Sequence, residues 1–383
     1  MKVLFLDQTG KLAGAERVLL DLVKPYKQEC LVGLFEDGPF RELLAEQNTP
    51  VTVLARKPNE VKRESSLLQG VSSLGKFIPL LLKTIKLSRK YDLIYANTPK
   101  AMVIGALASA LSDRPFVYHL HDILTPDHFS STNRRLIVTL ANRFASKIIA
   151  VSQAARNAFV EAGGKAELVE VIYNGFEPSK FQGYEPERDT VRQELGFDDK
   201  FIVGHFCRLS PWKGQDVLLK ALTHCADDIV AVFVGDALFG EEEYAAQLQQ
   251  QVKDLNLESR VKFLGFRRDV PRLMTGCDLV AHTSTSPEPA SRVLVETMLS
   301  GKPLVASRIG GTTELVQEEK MGGLFPSGDP VALAKIINER YQQPEQTAKI
   351  AIQAKNMASS LFRLEKNQQE VTNLLSGVIK KDF

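Results

Sequence analysis

The chain has 383 residues, which is more than one hydrophobic core usually serves, so we expect two domains. Apolar residues make up 44% of it and charged residues 25%, with a formal net charge of +2, as in an ordinary soluble globular protein. Its four cysteines form no C-x-x-C pair, which argues against a zinc site or a disulfide framework. The absence of a basic patch interleaved with aromatic residues argues against nucleic-acid binding.

Short apolar or β-branched stretches alternate with helical or turn-rich ones, the rhythm of parallel sheets covered by helices. The strands predicted in the first half are 2–6, 29–34, 51–54, 93–96, 115–119 and 147–151. Those in the second half are 201–206, 229–234, 261–264, 278–281 and 304–306. Turn residues cluster after Ile172, which predicts two Rossmann-like halves joined there. The segment from about residue 344 to the end has the pattern of an amphipathic helix.

A polar turn with two cations follows the strand predicted at 201–206. Arg208 and Lys213 flank this turn, and a helix is predicted from about Gln215. Two cations beside the positive end of a helix suit a pyrophosphate whose negative charge grows as a bond to it breaks. Taken alone, the pair is equally compatible with a solvated surface.

A pair of glutamates lies in the segment PEPASRVLVETMLSG. Glu288 is expected on a loop, and Glu296 about two turns into the following helix. One carboxylate would bind sugar hydroxyls and the other ribose hydroxyls. The backbone N–H groups at the predicted helix start would face an anion between them; they belong to Ser291, Arg292, Val293 and Leu294. An amphipathic helix with incidental surface glutamates is the alternative for such spacing alone.

These motifs together resemble the family-4 retaining glycosyltransferases of GT-B architecture. The resemblance spans nearly the whole chain. It includes Gly14-Ala15-Glu16-Arg17, His121-Asp122, Val151-Ser152, Asn174-Gly175, Arg208, Lys213-Gly214, Phe263-Leu264-Gly265-Phe266, Glu288, Glu296, Gly301-Lys302-Pro303 and Gly310-Gly311.

The resemblance implies an α/β fold with two Rossmann-like domains facing across a cleft, in which the reaction takes place after closure. Residues 1–175 would bind the acceptor, and residues 176–357 the nucleotide sugar. A C-terminal helix at about 358–383 would cross back to the N-terminal domain. The implied reaction moves a hexosyl unit, with retention, from a UDP-sugar such as UDP-glucose to a glycan or lipid-linked acceptor in polysaccharide or glycolipid synthesis.

The resemblance also assigns further site residues. His121 would position the donor sugar, Gly14 would lie close to donor phosphate or acceptor, and the nucleobase would lie over the turn at Gly265 and Phe266. Asp236, after another strand, would lie near the same pocket. By strand alternation we expect His119 to point to the face opposite His121.

Two departures from the family pattern affect these expectations. Ala290 and Ser291 stand where an aromatic residue and a glycine are usual, which indicates a roomier sugar pocket and a stiffer loop. Ala13 replaces the first of two paired glycines. No Asp-x-Asp motif is present to hold a metal on a diphosphate, so we expect no metal site and no cofactor, with Arg208 and Lys213 in the place of a cation.

Other functions make different demands on the same residues. A dehydrogenase needs G-x-G-x-x-G after its first strand, and the glycines at 10 and 14 have the wrong spacing; the P-loop pattern is absent too. A nucleotide-sugar epimerase or hydrolase on the same fold remains an alternative. So does a catalytically silent subunit of a glycan-assembly complex.

The basic first half of the chain suggests a place near the membrane. The segment from Lys76 to Lys90 combines an apolar face with several cations, which suits docking on an anionic membrane surface. A helix packed in the core with a solvated basic rim fits it at least as well. No apolar run approaches the roughly 20 residues that span a bilayer, and the chain opens on a strand without a signal-type region. We therefore expect a cytoplasmic protein, peripheral at the inner face of the membrane if docking occurs.

Overall fold

The computed structural model describes residues 1–55, 71–238 and 240–381, without the side chains of residues 28, 71–76 and 381. The strands of the first half are β1 (Val3–Asp7), β2 (Cys30–Leu34), β3 (Val51–Val53), β4 (Leu93–Ala96), β5 (Phe116–Leu120), β6 (Lys147–Ala150) and β7 (Val169–Val171). Its helices are α1 (Gly14–Leu22), α2 (Pro39–Glu46), α3 (Val71–Ser88), α4 (Pro99–Ser112), α5 (Ser131–Phe144) and α6 (Gln153–Glu161).

The second half repeats this alternation. Its strands are β8 (Phe201–Phe206), β9 (Ile229–Val234), β10 (Val261–Phe263), β11 (Leu279–His282), β12 (Leu304–Ser307) and β13 (Gly323–Phe325). Its helices are α7 (Arg188–Leu195), α8 (Gln215–Leu222), α9 (Glu242–Asp254), α10 (Val270–Gly276), α11 (Arg292–Leu299), α12 (Thr312–Leu315), α13 (Pro330–Gln342) and α14 (Pro344–Leu361). The last helix is α15 (Leu364–Lys381).

The chain forms two compact units. Unit 1 comprises Met1–Gly175 with Leu364–Phe383, and unit 2 comprises Phe176–Arg363. The amphipathic C-terminal segment is divided at Phe362 and Arg363, so that α14 belongs to unit 2 and α15 to unit 1. Helix α15 joins unit 1 because its apolar residues recur at helical spacing and are buried in the core of that unit; they are Val371, Leu374, Leu375 and Val378.

Each unit has one sheet whose strands are all parallel. The strand order is β3-β2-β1-β4-β5-β6-β7 in unit 1 and β10-β9-β8-β11-β12-β13 in unit 2. Strands β7 and β13 were not predicted from the sequence. Each has only three residues and lies at a sheet edge.

The buried strands explain why the sequence folds this way. The central strands β1, β9 and β11 are buried along their whole length, as expected for parallel strands covered on both faces. Within the described part of the chain, no helix is both long enough and apolar enough to cross a membrane.

Candidate functional site

In the sheet of unit 2, the strand order reverses between β8 and β11. Strand β8 continues to β9 on one side, whereas β11 continues to β12 on the other. The loops at the carboxyl ends of such neighbouring strands leave a crevice, which is where open α/β sheets bind ligands. Arg208 and Lys213 follow β8, and Glu288 follows β11, so the predicted cations and the first predicted glutamate share this switch point.

The side-chain hydroxyl of Thr283 holds the loop after β8. Its hydroxyl lies 3.0 Å from the Lys213 carbonyl oxygen and 2.7 Å from that of Gly214. His205 Nε2 lies 2.9 Å from the same hydroxyl, and burial lowers the pKa of His205 to about 3, so this ring is neutral. Gly214 has φ +67°, and a Cβ there would lie 2.0 Å from the Thr283 carbonyl oxygen. Only glycine fits this turn, which fixes the position of Lys213.

Lys213 and Glu288 form a buried ion pair. Lys213 Nζ lies 2.7 Å from Glu288 Oε2, with side-chain exposures of 12% and 6%. The other carboxylate oxygen of Glu288 lies 2.9 Å from His282 Nε2 and accepts a hydrogen bond from Ser284 Oγ. Burial alone would raise the pKa of Glu288, but Lys213 and His282 outweigh it and hold this pKa well below the usual range. Glu288 is therefore a carboxylate already engaged on both oxygens.

Trp212 lies beside both predicted cations. Lys213 Nζ lies 4.1 Å from its ring centroid, and Arg208 Cζ lies 5.4 Å from it. These are cation–π distances. Arg208 also forms an ion pair with Glu241 at 2.8 Å, and Glu241 accepts a second hydrogen bond from the Ser210 hydroxyl. The structure thus brings the two cations together through Trp212 and gives each one its own carboxylate partner.

The paired glycines at 310 and 311 position the loop of Glu288. The Gly311 N–H donates to the Glu288 carbonyl oxygen at 2.8 Å. A Cβ on Gly311 would lie 1.9 Å from the Pro289 carbonyl oxygen, and one on Gly310 would lie 2.6 Å from that of Glu288. The two backbones approach so closely that a methyl group at either position would force them apart.

Glu296 lies within α11, as predicted, and its partner is on the same helix. Arg292 Nε lies 3.2 Å from Glu296 Oε1, and the Arg292 guanidinium lies 4.4 Å from the ring centroid of Phe176. Ser291 is the N-cap residue without a side-chain hydrogen bond to the helix. The predicted row of open N–H groups is only partly present, because the Leu294 N–H donates to the Ser291 carbonyl oxygen at 3.3 Å.

The side chains of Val293 and Leu294 contribute to packing. Leu294 is fully buried with the apolar residues of α14, and Val293 packs against the core between α7 and α10. Leu294 can therefore take part in binding only through its backbone, whereas Val293 is half-buried.

The residues predicted to lie near the nucleobase follow β9 and β10. Phe266 has 63% of its surface exposed and follows Gly265, whose φ of +64° turns the chain there. The Gly235 N–H donates to the Gly265 carbonyl oxygen at 2.9 Å, which ties the loop of Gly265 to the loop of Asp236. Asp236 is exposed and accepts a hydrogen bond from the Ala237 N–H at 2.8 Å.

Unit 1 has its own switch point, between β1 and β4. Asp7 is the last residue of β1, Asn97 follows β4, and His121 follows the neighbouring β5. Asn97 Nδ2 donates to Asp7 Oδ2 at 2.7 Å, and Asn97 Oδ1 lies 2.9 Å from His121 Nε2. Asp7 and Asn97 were missed in the sequence, although each is a polar residue at the end of a buried strand.

The expectation for His119 was wrong. Its ring centroid lies 3.9 Å from that of His121, so the two rings are in contact instead of pointing to opposite faces. Residues two apart in a strand share a face, and the expectation misapplied that alternation. Burial, together with neighbouring His121, lowers the pKa of His119 well below the usual range, so His119 is neutral.

Gly14 begins α1, close in sequence to a buried glutamate. A Cβ on Gly14 would have no heavy atom within 4 Å, so its surroundings are open. Glu16 accepts a hydrogen bond from the Ala13 N–H at 3.0 Å and is 4% exposed. Burial raises the pKa of Asp7 well above its usual range, and Glu16 nearby raises it further.

Two units, each with one parallel sheet and polar residues at its switch point, have the α/β architecture of GT-B glycosyltransferase structures. Two family models match the chain: "Glycosyltransferase Family 4" over residues 13–180 and "Glycosyl transferases group 1" over residues 187–357. The chain belongs to the family-4 glycosyltransferases.

A solved structure is similar over nearly the whole chain. It is that of Anabaena Alr3699/HepE in complex with UDP-glucose, with 51% sequence identity and a TM-score of 0.91, covering 98% of this chain and 100% of that one.

Two curated proteins are more distant. The spore coat protein SA of Bacillus subtilis (strain 168) is 27% identical, over 87% of this chain and 90% of its own. The UDP-Gal:alpha-D-GlcNAc-diphosphoundecaprenol alpha-1,3-galactosyltransferase of Escherichia coli is 26% identical, over 86% of this chain and 85% of its own.

Proposed function

We propose that this glycosyltransferase moves a glucosyl or closely related hexosyl unit from a UDP-sugar to a glycan or lipid-linked acceptor, with retention at the anomeric carbon. The similarity to HepE, which was crystallised with UDP-glucose and is half identical over nearly all its length, carries the proposal for the donor. The acceptor class rests on family resemblance and on relatives such as the galactosyltransferase of Escherichia coli.

Unit 2 supplies the donor site in this proposal. The bond between the anomeric carbon and the diphosphate oxygen breaks, and its electron pair goes to that oxygen. Arg208 and Lys213, which meet at Trp212, stabilise the charge that develops there. Two fixed cations perform the task that a divalent metal performs elsewhere, so the proposed reaction needs no metal.

The remaining site residues hold the two ends of the donor. Glu288 binds sugar hydroxyls, Glu296 binds ribose hydroxyls, and the base lies over Gly265 and Phe266 with Asp236 nearby. The exposed ring of Phe266 supports this placement, because a base can stack on it.

Unit 1 binds the acceptor in this proposal. His121 positions substrate, and Gly14 leaves room for it, in keeping with the open space around its Cα. The acceptor hydroxyl attacks the same face from which the diphosphate leaves, and its proton passes to the departing phosphate oxygen. The configuration is then retained without a dedicated general base.

Donor hydrolysis without acceptor tests the proposal for the donor. Purified protein is incubated with uridine-, guanosine- and adenosine-diphosphate sugars in EDTA, and nucleoside diphosphate release is measured. We expect slow UDP release from UDP-glucose, lost in Lys213→Ala. Lys220→Ala is the matched control, because Lys220 is an exposed lysine in α8 whose partner is Asp216. Release that requires added metal would contradict the metal-free mechanism.

The same assay distinguishes the alternatives. An epimerase would convert the sugar without releasing diphosphate, and a hydrolase would release it at a rate that acceptors leave unchanged. A silent subunit would release nothing and show no thermal shift with UDP. Retention is tested by NMR of the product, because the anomeric proton coupling distinguishes the α from the β linkage.

Helix α3 is the proposed contact with an anionic membrane surface. Ile78 is 52% exposed and Leu82 is 61% exposed, and these residues lie one turn apart. Lys86 is exposed in the same helix, and Arg89 and Lys90 are exposed just after it. Exposed apolar side chains beside cations favour binding to anionic lipid. The side chain of Lys76 lies outside the described part of the chain.

Vesicle flotation tests this surface. We expect the protein to float with vesicles containing phosphatidylglycerol and not with neutral phosphatidylcholine, and Leu82→Glu to weaken flotation. Ile352→Glu is the matched control, because Ile352 is 62% exposed in unit 2. Equal flotation of both variants would contradict a role for α3.

A further inference from the structure

A cavity lies in unit 2 at the end of the sheet opposite the candidate site. It has a volume of about 250 Å³, and the amino ends of β8, β11 and β12 and the start of α14 border it. Arg208, Lys213 and Glu288 follow the carboxyl ends of β8 and β11. Strand β8 has six residues and so spans roughly 20 Å. The cavity is therefore separate from the proposed donor site.

Two cations that line this cavity share the same acceptors. Lys302 Nζ donates to the backbone carbonyl oxygens of Thr275 at 2.6 Å and of Cys277 at 3.2 Å. Arg188 Nη1 donates to the same two oxygens at 3.1 and 3.3 Å. Two groups that bond to the same pair of oxygen atoms must lie close together. The like charges of Lys302 and Arg188 are thus held side by side, and they repel each other.

The negative charge nearby does not balance these cations. Asp278 lines the cavity, but Arg188 Nη2 binds one of its oxygens at 2.5 Å and Arg192 Nη1 binds the other at 2.9 Å. Within the part of the chain that the structure describes, no carboxylate forms an ion pair with Lys302. The carbonyl groups at the end of α10 supply at most about half a negative charge. The three cations therefore exceed the negative charge around them by about 1.5 charges.

The pKa of Lys302 reflects this environment. Burial, and next the charge of Arg188, lower the pKa of Lys302 to about 8. Glu185 acts in the opposite direction, but it is exposed and has its own ion-pair partner in Lys355 at 3.7 Å. A lysine has three N–H donors, and the two carbonyl groups take two of those on Lys302. An anion in the cavity would accept from the third and compensate the charge.

Much of the remaining cavity wall is apolar. Arg340 adds a third cation to the lining, and its partner is the exposed Glu319 at 3.1 Å. Ile352 is 62% exposed, so the cavity opens to solvent there. Cations beside an apolar wall suit a ligand with an anionic group and an apolar body. The apolar lining residues include Phe201, Pro303, Pro344, Ala348 and Ile352.

We propose that this cavity binds a phosphate monoester with a small apolar body. The phosphate lies between Lys302 and Arg188, where a dianion compensates both cations through charge-assisted hydrogen bonds. The apolar body lies against Ala348 and Ile352 of α14. A carboxylate carries a single charge and compensates only part of the excess, so a phosphate matches the cavity better.

Isothermal titration calorimetry of the full-length protein tests the ligand class. The titrants are phenyl phosphate, inorganic phosphate, which lacks the apolar body, and benzoate, which lacks the second charge. We expect phenyl phosphate to bind about tenfold or more tightly than either of the others, the value of a buried apolar group or of a hydrogen bond between charged groups. Absence of phenyl phosphate binding would overturn the proposal. So would equally tight binding of benzoate or inorganic phosphate.

Ala348→Trp tests the location of the ligand. Ala348 is an exposed residue of α14 that lines the cavity, so a larger side chain there fills the cavity and leaves every cation in place. We expect this variant to keep its melting temperature and to lose phenyl phosphate binding. Gln353→Trp is the matched control, because Gln353 is exposed on the same helix and lies outside the described cavity lining.

The proposed donor site also contains cations, and Lys213→Ala distinguishes it from the cavity. We expect Lys213→Ala to bind phenyl phosphate as the parent does. Binding that disappears in Lys213→Ala and persists in Ala348→Trp would place the ligand at the loop after β8 and overturn the proposal. Binding that persists in both variants would overturn it as well.

Lys302→Met tests the role of the cation. We expect the affinity for phenyl phosphate to fall about tenfold or more, because one hydrogen bond between charged groups is lost. Lys349→Met is the matched control, because Lys349 is an exposed lysine of α14 outside the described cavity lining. A purely structural role of Lys302 at the end of α10 would lower the melting temperature and leave the affinity unchanged. If Lys302→Met does not fold, Ala348→Trp still decides the inference.

Discussion

Removing Lys213 should destabilise unit 2 as well as abolish activity, and the two effects can be separated. Glu288 is buried, and Lys213 is its ion-pair partner at 2.7 Å. Deleting one partner of a buried pair leaves the other charge uncompensated, which costs about 3 kcal/mol or more. For a unit of this size that lowers the melting temperature by roughly 6–12 °C. Lys220→Ala, which breaks an exposed pair, should cost less than about 1 kcal/mol.

A second substitution should restore stability without restoring activity. In Lys213→Ala/Glu288→Gln the buried group is neutral, and a glutamine oxygen can still accept from His282 and Ser284. We expect the double variant to recover most of the stability lost in Lys213→Ala, and donor hydrolysis to stay absent. Thermal and urea unfolding measure the first quantity, and UDP release measures the second.

The pH dependence gives a further check on the same pair. The pKa of Glu288 is held well below its usual range, so its contribution to stability is present above the unfolded pKa and is lost as pH falls through the folded one. In Lys213→Ala the compensating charge is gone, burial raises the pKa of Glu288, and the variant should approach the parent in stability as pH falls towards 4. A stability difference that is independent of pH, or a Lys213→Ala variant as stable as Lys220→Ala, would refute the reasoning.

Three other outcomes are expected. Gly311→Ala should unfold about 5 °C or more below the parent, because its Cβ would meet a carbonyl oxygen at 1.9 Å. Gly377 lies in α15 with open space around it, so Gly377→Ala should raise the free energy of unfolding by about 0.5–1 kcal/mol. The fluorescence of Trp212, the single tryptophan of the chain, should change on UDP binding; a phenylalanine there should keep the affinity within about threefold, and a leucine should weaken it about tenfold. Burial raises the pKa of Cys207 and Cys277 to about 12, so mass spectrometry should find iodoacetamide at pH 8 modifying them only after unfolding.

The sequence predicted the features that depend on local residue patterns. Apolar runs and turn residues located the central strands, and the spacing of Arg208, Lys213, Glu288 and Glu296 marked the loops at one switch point. Glu296 lies on α11 as expected. Its ion pair with Arg292 was not predicted, because it depends on rotamers that residue spacing alone does not specify.

Two residues that sequence reasoning missed lie together because of the order of the strands in the sheet. Asp7 and Asn97 are 90 residues apart, and they meet because β1 and β4 are neighbours in the sheet. Nothing in the local pattern of either strand predicts that neighbour. Glu241 is a similar case, because it reaches Arg208 from the loop before α9, which is 33 residues further along the chain.

The partners of the two cations bear on how the proposed site handles a diphosphate. Two adjacent cations would repel each other, and Glu241 and Glu288 compensate both of them. The two carboxylates are not equivalent. Glu288 has three partners and a side chain 6% exposed, whereas Glu241 has a side chain 19% exposed and lies at the start of α9, beside the exposed Gly240. A diphosphate that binds both cations would therefore displace Glu241 more readily than Glu288, which would leave Glu288 in place for its proposed contact with the sugar.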